Sequence, residues 1–236
     1  MAIYAISDLH LSLGTDKPMY VFGDKWRGYE SRLEENWIKT VGEDDAVIIN
    51  GDNSWATYLD NAVQDFAFIN ALPGRKILSK GNHDYWWTTM KKMNEFCGQY
   101  GFDTISFMQN NHFAHDGAAI CGTRGWQLTV KDNEDLKIHN RELERLRLSL
   151  NSARVANPTD IIAALHYPPD AQFRAVLEEY GVTVCLYGHL HAHSHRNRLA
   201  DTINSIKYQL VSCDFLDFQP LKISLNGDII EKYEKI

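Results

Sequence analysis

The chain lacks the features that mark several protein classes. It has only four cysteines, Cys97, Cys121, Cys185 and Cys213, and none forms a CxxC pair. Cys121, Cys185 and Cys213 lie in apolar runs and read as buried small hydrophobes. This argues against a disulfide scaffold and for a reducing compartment. Basic charge is in deficit: 24 Lys and Arg stand against 31 Asp and Glu, a net charge of -7 with His neutral. Such a chain is a poor general binder of nucleic acid, because that affinity rests on Lys and Arg neutralising phosphates. No apolar run approaches the roughly 18 residues a membrane helix needs. No charged and apolar leader opens the chain, so a cytoplasmic protein without a membrane partner is expected. Internal repeats, low-complexity tracts and dividing linkers are absent, so residues 1–236 are expected to form one domain. A hydrophobic content of 44% is enough for a sizeable core.

What the chain does contain is one pattern met five times. A short β-rich apolar run ends in Asp, Asn or His. Residues 2–7 lead into Asp8-Leu9-His10, and residues 46–49 lead into Gly51-Asp52-Asn53. Lys76-Ile77-Leu78 precedes Gly81-Asn82-His83-Asp84, residues 161–165 precede His166, and residues 182–187 precede Gly188-His189-Leu190-His191. Continuous apolar runs of this length fit strands buried on both faces. In open α/β sheets, sites form where the carboxyl ends of strands meet. Five strand ends would then deliver Asp8, His10, Asp52, Asn82, His166, His189 and His191 to one edge, an inventory that suits a divalent transition metal.

Between these runs the spacing predicts helices over 30–41, 57–71, 88–96, 134–153 and 170–180. Leu33, Trp37, Ile38 and Val41 mark the inner face of the first, and Leu136, Leu143, Leu146, Leu150 and Ala153 that of the fourth. The β, α, β, α order argues for a largely parallel sheet with right-handed crossovers. Residues 104–108 and 112–122, with polar turns at Asn110-Asn111 and Asp116-Gly117, suggest an antiparallel hairpin extending that sheet. Residues 206–213 and 219–225 read as strands, with Asn226-Gly227 as a hairpin turn into Asp228. Residues 11–29 form a long loop with its own aromatics, either a lid or rim of a site or a surface loop pinned by Trp26.

Taken singly, Asp-x-His and Gly-Asp are common turn and cap sequences. Their order here, each at a strand end, is hard to read as coincidence. The set resembles the calcineurin-like metallophosphoesterase superfamily, whose pattern is DxH, GD, GNH[DE], H, GHxH, over the stretch from Asp8 to His191. That resemblance implies an α/β fold in four α/β/β/α layers, with two mixed β-sheets flanked by helices and a dinuclear metal site at the strand ends. It implies that Asp8, His10 and His191 bind one metal, that Asn82, His166 and His189 bind the other, and that Asp52 bridges both. His83 would face the substrate phosphoryl oxygen or leaving group. The ions would be manganese, iron or zinc, and the reaction hydrolysis of a small phosphomonoester or phosphodiester by a metal-bridging hydroxide. The chemistry explains the residue types: two metals about 3.5–4 Å apart acidify a water and clamp the attacking and leaving oxygens, and His83 can supply a proton to the leaving oxygen.

One position departs from the pattern. Many protein phosphatases of the superfamily read GDxxD, whose last Asp pairs with the catalytic His; here that position is Trp55. This weakens a protein-phosphatase reading and leaves His83 without an evident orienting partner. The stretches around Trp55, Trp86-Trp87 and Trp126 resemble a bacterial branch of the superfamily. Arg124, between Gly122 and Gly125, is a candidate for substrate phosphate, since Arg suits bidentate phosphate contacts. His193 and His195 read as rim residues, and His112, His115 and His139 as structural or exposed. The competing readings are a nuclease of the same superfamily, which the acidic balance disfavours, and a metal-containing scaffold, which would not need His83.

Overall fold

The apolar runs are buried on both faces, and the two-residue period of a strand decides which layer each side chain meets. The computed structural model describes residues 1–225 apart from 128 and 130. In chain order its elements begin with β1 (Ile3–Ile6), α1 (Tyr29–Thr40), β2 (Ala46–Asn50), α2 (Val63–Ala71), β3 (Arg75–Ser79), α3 (Met90–Tyr100) and β4 (Ile105–Phe107). There follow β5 (Phe113–His115), β6 (Ala118–Thr123), α4 (Asn133–Arg154), β7 (Asp160–Leu165), α5 (Ala171–Glu179), β8 (Val184–Tyr187), β9 (Thr202–Ile203), β10 (Ile206–Leu210) and β11 (Leu221–Ile223). One sheet has the order β11-β1-β2-β3-β4, parallel except for β11. The other has the order β5-β6-β7-β8-β10-β9, antiparallel only at its two edges.

Alternation along these strands builds three slabs of core. Tyr4, Ile6, Val47 and Ile49 face outward onto Leu33 and Trp37 of α1 and Phe66 and Ile69 of α2. Their neighbours Ile3, Ala5, Ala46 and Ile48 face inward, against Ile162, Ala164, Val184 and Leu186 of the second sheet. Ala163, Leu165, Cys185 and Tyr187 turn the other way, onto Leu146 and Leu150 of α4 and Phe173 and Leu177 of α5. The result is the four-layer α/β/β/α arrangement, two mixed sheets flanked by helices. Each large apolar side chain so buried contributes about 1.5–3 kcal/mol. All four cysteines are free and buried. Among the described residues no helix is long and apolar enough to cross a membrane.

The structure corrects the expected hairpin. Segment 105–107 pairs parallel with β3 at the edge of the first sheet. The chain then crosses to the second sheet, where β5 and β6 form the hairpin about Asp116 and Gly117, both at positive φ (48° and 81°). A two-residue turn with both φ positive matches the twist of the strands it joins; Asn110-Asn111 is instead the crossing between sheets. Two other expectations shift. The helix expected over 88–96 runs on through Gly98 to Tyr100, because Gly101 at φ 69° supplies the left-handed cap. Ile38 is 59% exposed, since one helical step of 100° from the buried Trp37 carries it off the inner stripe, and Leu136 is exposed in the first turn of α4. The hairpin expected at Asn226-Gly227 lies outside the described residues.

Candidate metal centre

Parallel pairing sends the carboxyl ends of β1, β2 and β3 in one sheet, and β7 and β8 in the other, to one edge of the sandwich. The first two turns lie side by side: Asp8 N donates to Gly51 O (2.9 Å), His10 N to Asp52 O (2.9 Å) and Leu11 N to Asn53 O (3.1 Å). The two sheets are tied here by Asn50, whose Nδ2 donates to Leu165 O (2.8 Å) and whose Oδ1 accepts from Ser79 Oγ (2.9 Å). Asp8, His10, Asp52 and His189 all have φ between 47° and 70°. A left-handed backbone at four non-glycine residues is uncommon and costs of order 1–3 kcal/mol each where it is strained. The glycines of the motifs are required by close approach. A Cβ on Gly51 would come within 2.6 Å of His166 Nδ1, and one on Gly81 would collide with the Asp52 carboxylate.

The structure brings all seven expected donors together. Asp8, His10 and His191 each place a donor atom within 4.8 Å of the others, and so do Asp8, Asp52 and His166. Asn82 Oδ1 lies 2.8 Å from His166 Nε2 and 2.9 Å from His189 Nδ1. Asp52 Oδ2 lies 3.4 Å from His166 Nε2 and 3.8 Å from His10 Nε2, and Asp8 Oδ1 lies 3.3 Å from His191 Nε2. Two atoms bonded to one ion at about 2.1 Å and roughly at right or tetrahedral angles stand about 3.0–3.4 Å apart. The spacing of carboxylate, amide and imidazole donors therefore fits metal ions. Their far sides are also arranged. His166 Nδ1 lies 3.1 Å from Asn50 O, and His191 Nδ1 lies 2.9 Å from Asp214 Oδ1. Each such acceptor takes the Nδ1 proton and leaves Nε2 facing the centre.

Protonation follows from the same contacts. Burial pushes the Asp8 carboxyl up, but His191 and the other imidazoles outweigh it and hold it well below the usual carboxylate range. Burial and His166 act on Asp52 in the same opposed way, leaving it at about 2. Burial works against a charged His166, yet Asp52 pushes it up to about 9. Asp8 and Asp214 likewise overcome burial and push His191 up to about 10. Burial dominates at His10 and His189, and both fall to about 4. The buried carboxylates thus pull the His166 and His191 imidazoles toward the charged form, and a cation bound in their place would compete with those protons.

His83 stands beside these donors. Its N–H donates to Asp52 Oδ1 (2.7 Å), and its Nδ1 is buried with no hydrogen-bond partner among the described residues. Its ring is held by aromatic packing: Trp55 at 4.5 Å and Tyr85 at 6.2 Å between centroids. Trp55 also stacks on His10 at 4.9 Å with planes 21° apart. The residue at the departing position therefore packs against both histidines and supplies no carboxylate. Trp26 anchors the 11–29 loop and meets His10 edge-on at 6.2 Å and His191 at a tilt at 5.9 Å, so the loop is pinned by its tryptophan and borders the centre at once.

Two carboxylates at the centre went unassigned in the sequence. Asp84, 1% exposed, accepts from the backbone N of Gly81 (2.7 Å), Asp52 (2.9 Å), Asn53 (2.8 Å) and Ser54 (3.3 Å), and from the Asn53 and Trp86 side chains. It staples the turn after β2 to the turn after β3. Its signal was the fourth residue of Gly81-Asn82-His83-Asp84. Asp214 also accepts from Ala192 N (3.0 Å) and faces His195 Nε2 at 3.3 Å. Its signal was a sixth apolar run ending in Asp, at Val211-Ser212-Cys213-Asp214. Arg124 is not among the converging donors. Its carbonyl accepts from His166 N and Tyr167 N (3.0 Å each), while its guanidinium lies over Trp126 at 4.6 Å and 3.6 Å from Glu142. His193 is exposed, and His139 pairs with Asp170 (2.6 Å) away from the centre.

A family model described as calcineurin-like phosphoesterase matches residues 1–193. The chain belongs to that family. Phosphoester hydrolysis is the chemistry that membership supports, and the Asp and His clusters supply donors able to hold the metal ions it implies. Among solved structures, this phosphoesterase is similar to the phosphopantetheinyl hydrolase of Mycobacterium tuberculosis, with a TM-score of 0.59, 13% identity and 96% of both chains covered. It is similar to the Aquifex aeolicus protein AQ665, of unknown function, with a TM-score of 0.51, 19% identity, and 94% of this chain and 95% of that one covered. It is also similar to TT1561 of Thermus thermophilus, with a TM-score of 0.54, 11% identity, and 87% and 86% covered. At these identities the likeness is one of fold. No curated protein matches the chain significantly.

Proposed function

We propose that this phosphoesterase hydrolyses a small phosphomonoester or phosphodiester with two metal ions, manganese, iron or zinc, at the strand-end centre. Asp8, His10 and His191 would hold one ion, Asn82, His166 and His189 the other, and Asp52 would bridge them. Bound there, two cations would acidify a water and neutralise the phosphoryl group. The chain's own part is orientation and proton supply. Asn50 O and Asp214 fix the tautomers of His166 and His191, Asp84 fixes the turns that carry Asp52 and Asn82, and His83 presents an imidazole to the leaving oxygen. Arg124 would meet the substrate on the flank next to His166. The observation that carries this reading is the convergence of seven donors from five strand ends at coordination spacing.

Metal analysis of the purified protein, combined with nitrophenyl phosphate, bis-nitrophenyl phosphate, cyclic nucleotides and short DNA, tests it. Turnover that chelator abolishes and Mn, Fe or Zn restores is expected. Fully metal-loaded protein inert on every ester would sink the reading. The net charge of -7 makes weak binding of duplex DNA at physiological salt the expected result. Submicromolar, salt-sensitive binding of random DNA would turn the reading toward a nuclease.

Asp214 gives a second test. Asp214→Asn keeps the shape but removes the charge that orients His191, and partners of this kind typically contribute about 10–100-fold in metal affinity. A loss in that range is expected in competition with a chelator. Unchanged affinity would make Asp214 a structural carboxylate only.

A further inference from the structure

A cavity of about 320 Å³ continues the strand-end edge past the metal centre. The centre takes its donors after β1, β2 and β3 in one sheet and after β7 and β8 in the other. The cavity is walled one strand further along in each: Met108 and Gln109 follow β4, and Thr123 and Arg124 end β6. It is contiguous with the centre in the chain. Lys80 is two residues before Asn82, and the carbonyl of Arg124 accepts from His166 N at 3.0 Å. Its volume is at the small end of ligand pockets, which run about 300–1,000 Å³.

The lining is cationic in an otherwise acidic chain. Lys80, Arg124 and Arg145 face the cavity, and Glu142 is the carboxylate among the lining side chains. Glu142 is already committed. Its Oε1 lies 2.8 Å from Arg145 Nη1 and 3.6 Å from Arg124 Nη2, and its Oε2 accepts from Thr123 Oγ1 at 2.6 Å. Among the lining side chains one carboxylate therefore faces three cations, with Asp84 acting on Lys80 and Arg141 on Glu142 from outside the lining. Half-buried Lys80 Nζ makes no close hydrogen bond or ion pair among the described residues, although the Asp84 and Glu142 carboxylates act on it from further off, and Arg124 Nε–H is buried without an acceptor. Buried donors and charges are normally paired, so unpaired ones facing a cavity point to a partner from outside. A lining with a surplus of cations matches a phosphate dianion better than a carboxylate.

We infer that the cavity lined by Lys80, Arg124 and Arg145 receives a second phosphate group of the substrate, while the scissile phosphoester lies at the metal centre. This rests on the phosphoesterase reading and narrows it to small compounds carrying two phosphoryl groups. The two sites are fixed on one rigid edge, so the spacing between the groups would select among such compounds.

Inhibition of nitrophenyl phosphate hydrolysis by the metal-loaded protein tests this. The probes are α,ω-bisphosphonates with spacers of one to six methylenes, each compared with the monophosphonate and the ω-carboxyphosphonate of equal length. At least one bisphosphonate is expected to inhibit tenfold or more better than both comparators. Lys80→Ala should remove that advantage, and so should Arg145→Gln, with thermal melts showing both variants folded. Lys80 has no partner to strand, and Arg145 is partly exposed, so the two variants do not share one route to misfolding. No advantage at any spacer, an equal advantage for the carboxylate, or an advantage that both variants retain would overturn the inference and leave the phosphoesterase reading standing. Metal-loaded protein inert on every ester of the panel above would bring down that reading and the inference with it.

Discussion

His83→Ala is expected to keep its metal content and to lose about 10²–10⁴-fold in kcat/KM on a phosphoester with a poor leaving group, the range typical of proton donation in a transition state. The geometry separates the side chain from the turn that carries it. The contact to Asp52 is made by the backbone N–H of His83 (2.7 Å), and alanine keeps that N–H. The imidazole Nδ1 has no protein partner among the described residues, so removing it strands no buried group. The loss should shrink for nitrophenyl esters, whose leaving oxygen hardly needs a proton. Equal losses on both ester types would instead assign His83 to the non-bridging phosphoryl oxygens. Lost metal would make it a ligand, and unchanged rates on both would remove it from the chemistry. Its ring rests on Trp55 at 4.5 Å, and burial pushes the imidazole below the usual histidine range against the opposing pull of the Asp52 and Asp8 carboxylates.

Asp52→Asn is expected to weaken both metals, by more than the roughly 10–100-fold expected of an outer partner such as Asp214, and to abolish most activity. Asp52 Oδ2 faces His166 Nε2 at 3.4 Å and His10 Nε2 at 3.8 Å, one histidine from each proposed metal subsite. Its backbone N–H is tied to Asp84 Oδ2 (2.9 Å) and survives the substitution. The change therefore removes charge between the ions while leaving the turn in place. Metal stoichiometry after desalting, measured beside kcat/KM, decides it. Two tightly held metals with full activity would mean that Asp52 is not the bridge.

Much of this arrangement was legible in the chain before any coordinates. Each run of three to six residues has a strand's composition, and its end is marked by a polar residue, so the positions of Asp8, Asp52, Asn82, His166 and His189 at strand ends followed from local pattern. That they meet also followed, because parallel strands with helical crossovers place all their carboxyl ends on one side. The acidic balance and the free cysteines were matters of counting.

What local pattern does not encode is which strand lies beside which. Segment 105–107 was expected in a hairpin with its successor; it lies at the edge of the other sheet, because pairing is decided by the packing of three core slabs and not by the turn after it. Every contact that depends on such choices was hidden for the same reason. Asp214 reaches His191 only because β10 lies beside β8, and Asn50 O reaches His166 across 116 residues only because the two sheets stack. The ring of Trp55 on His83 and the three cations around one cavity are likewise products of elements far apart in sequence. The residue types of the site were set by the chain, and their partners, tautomers and neighbouring charges by the packing of the two sheets.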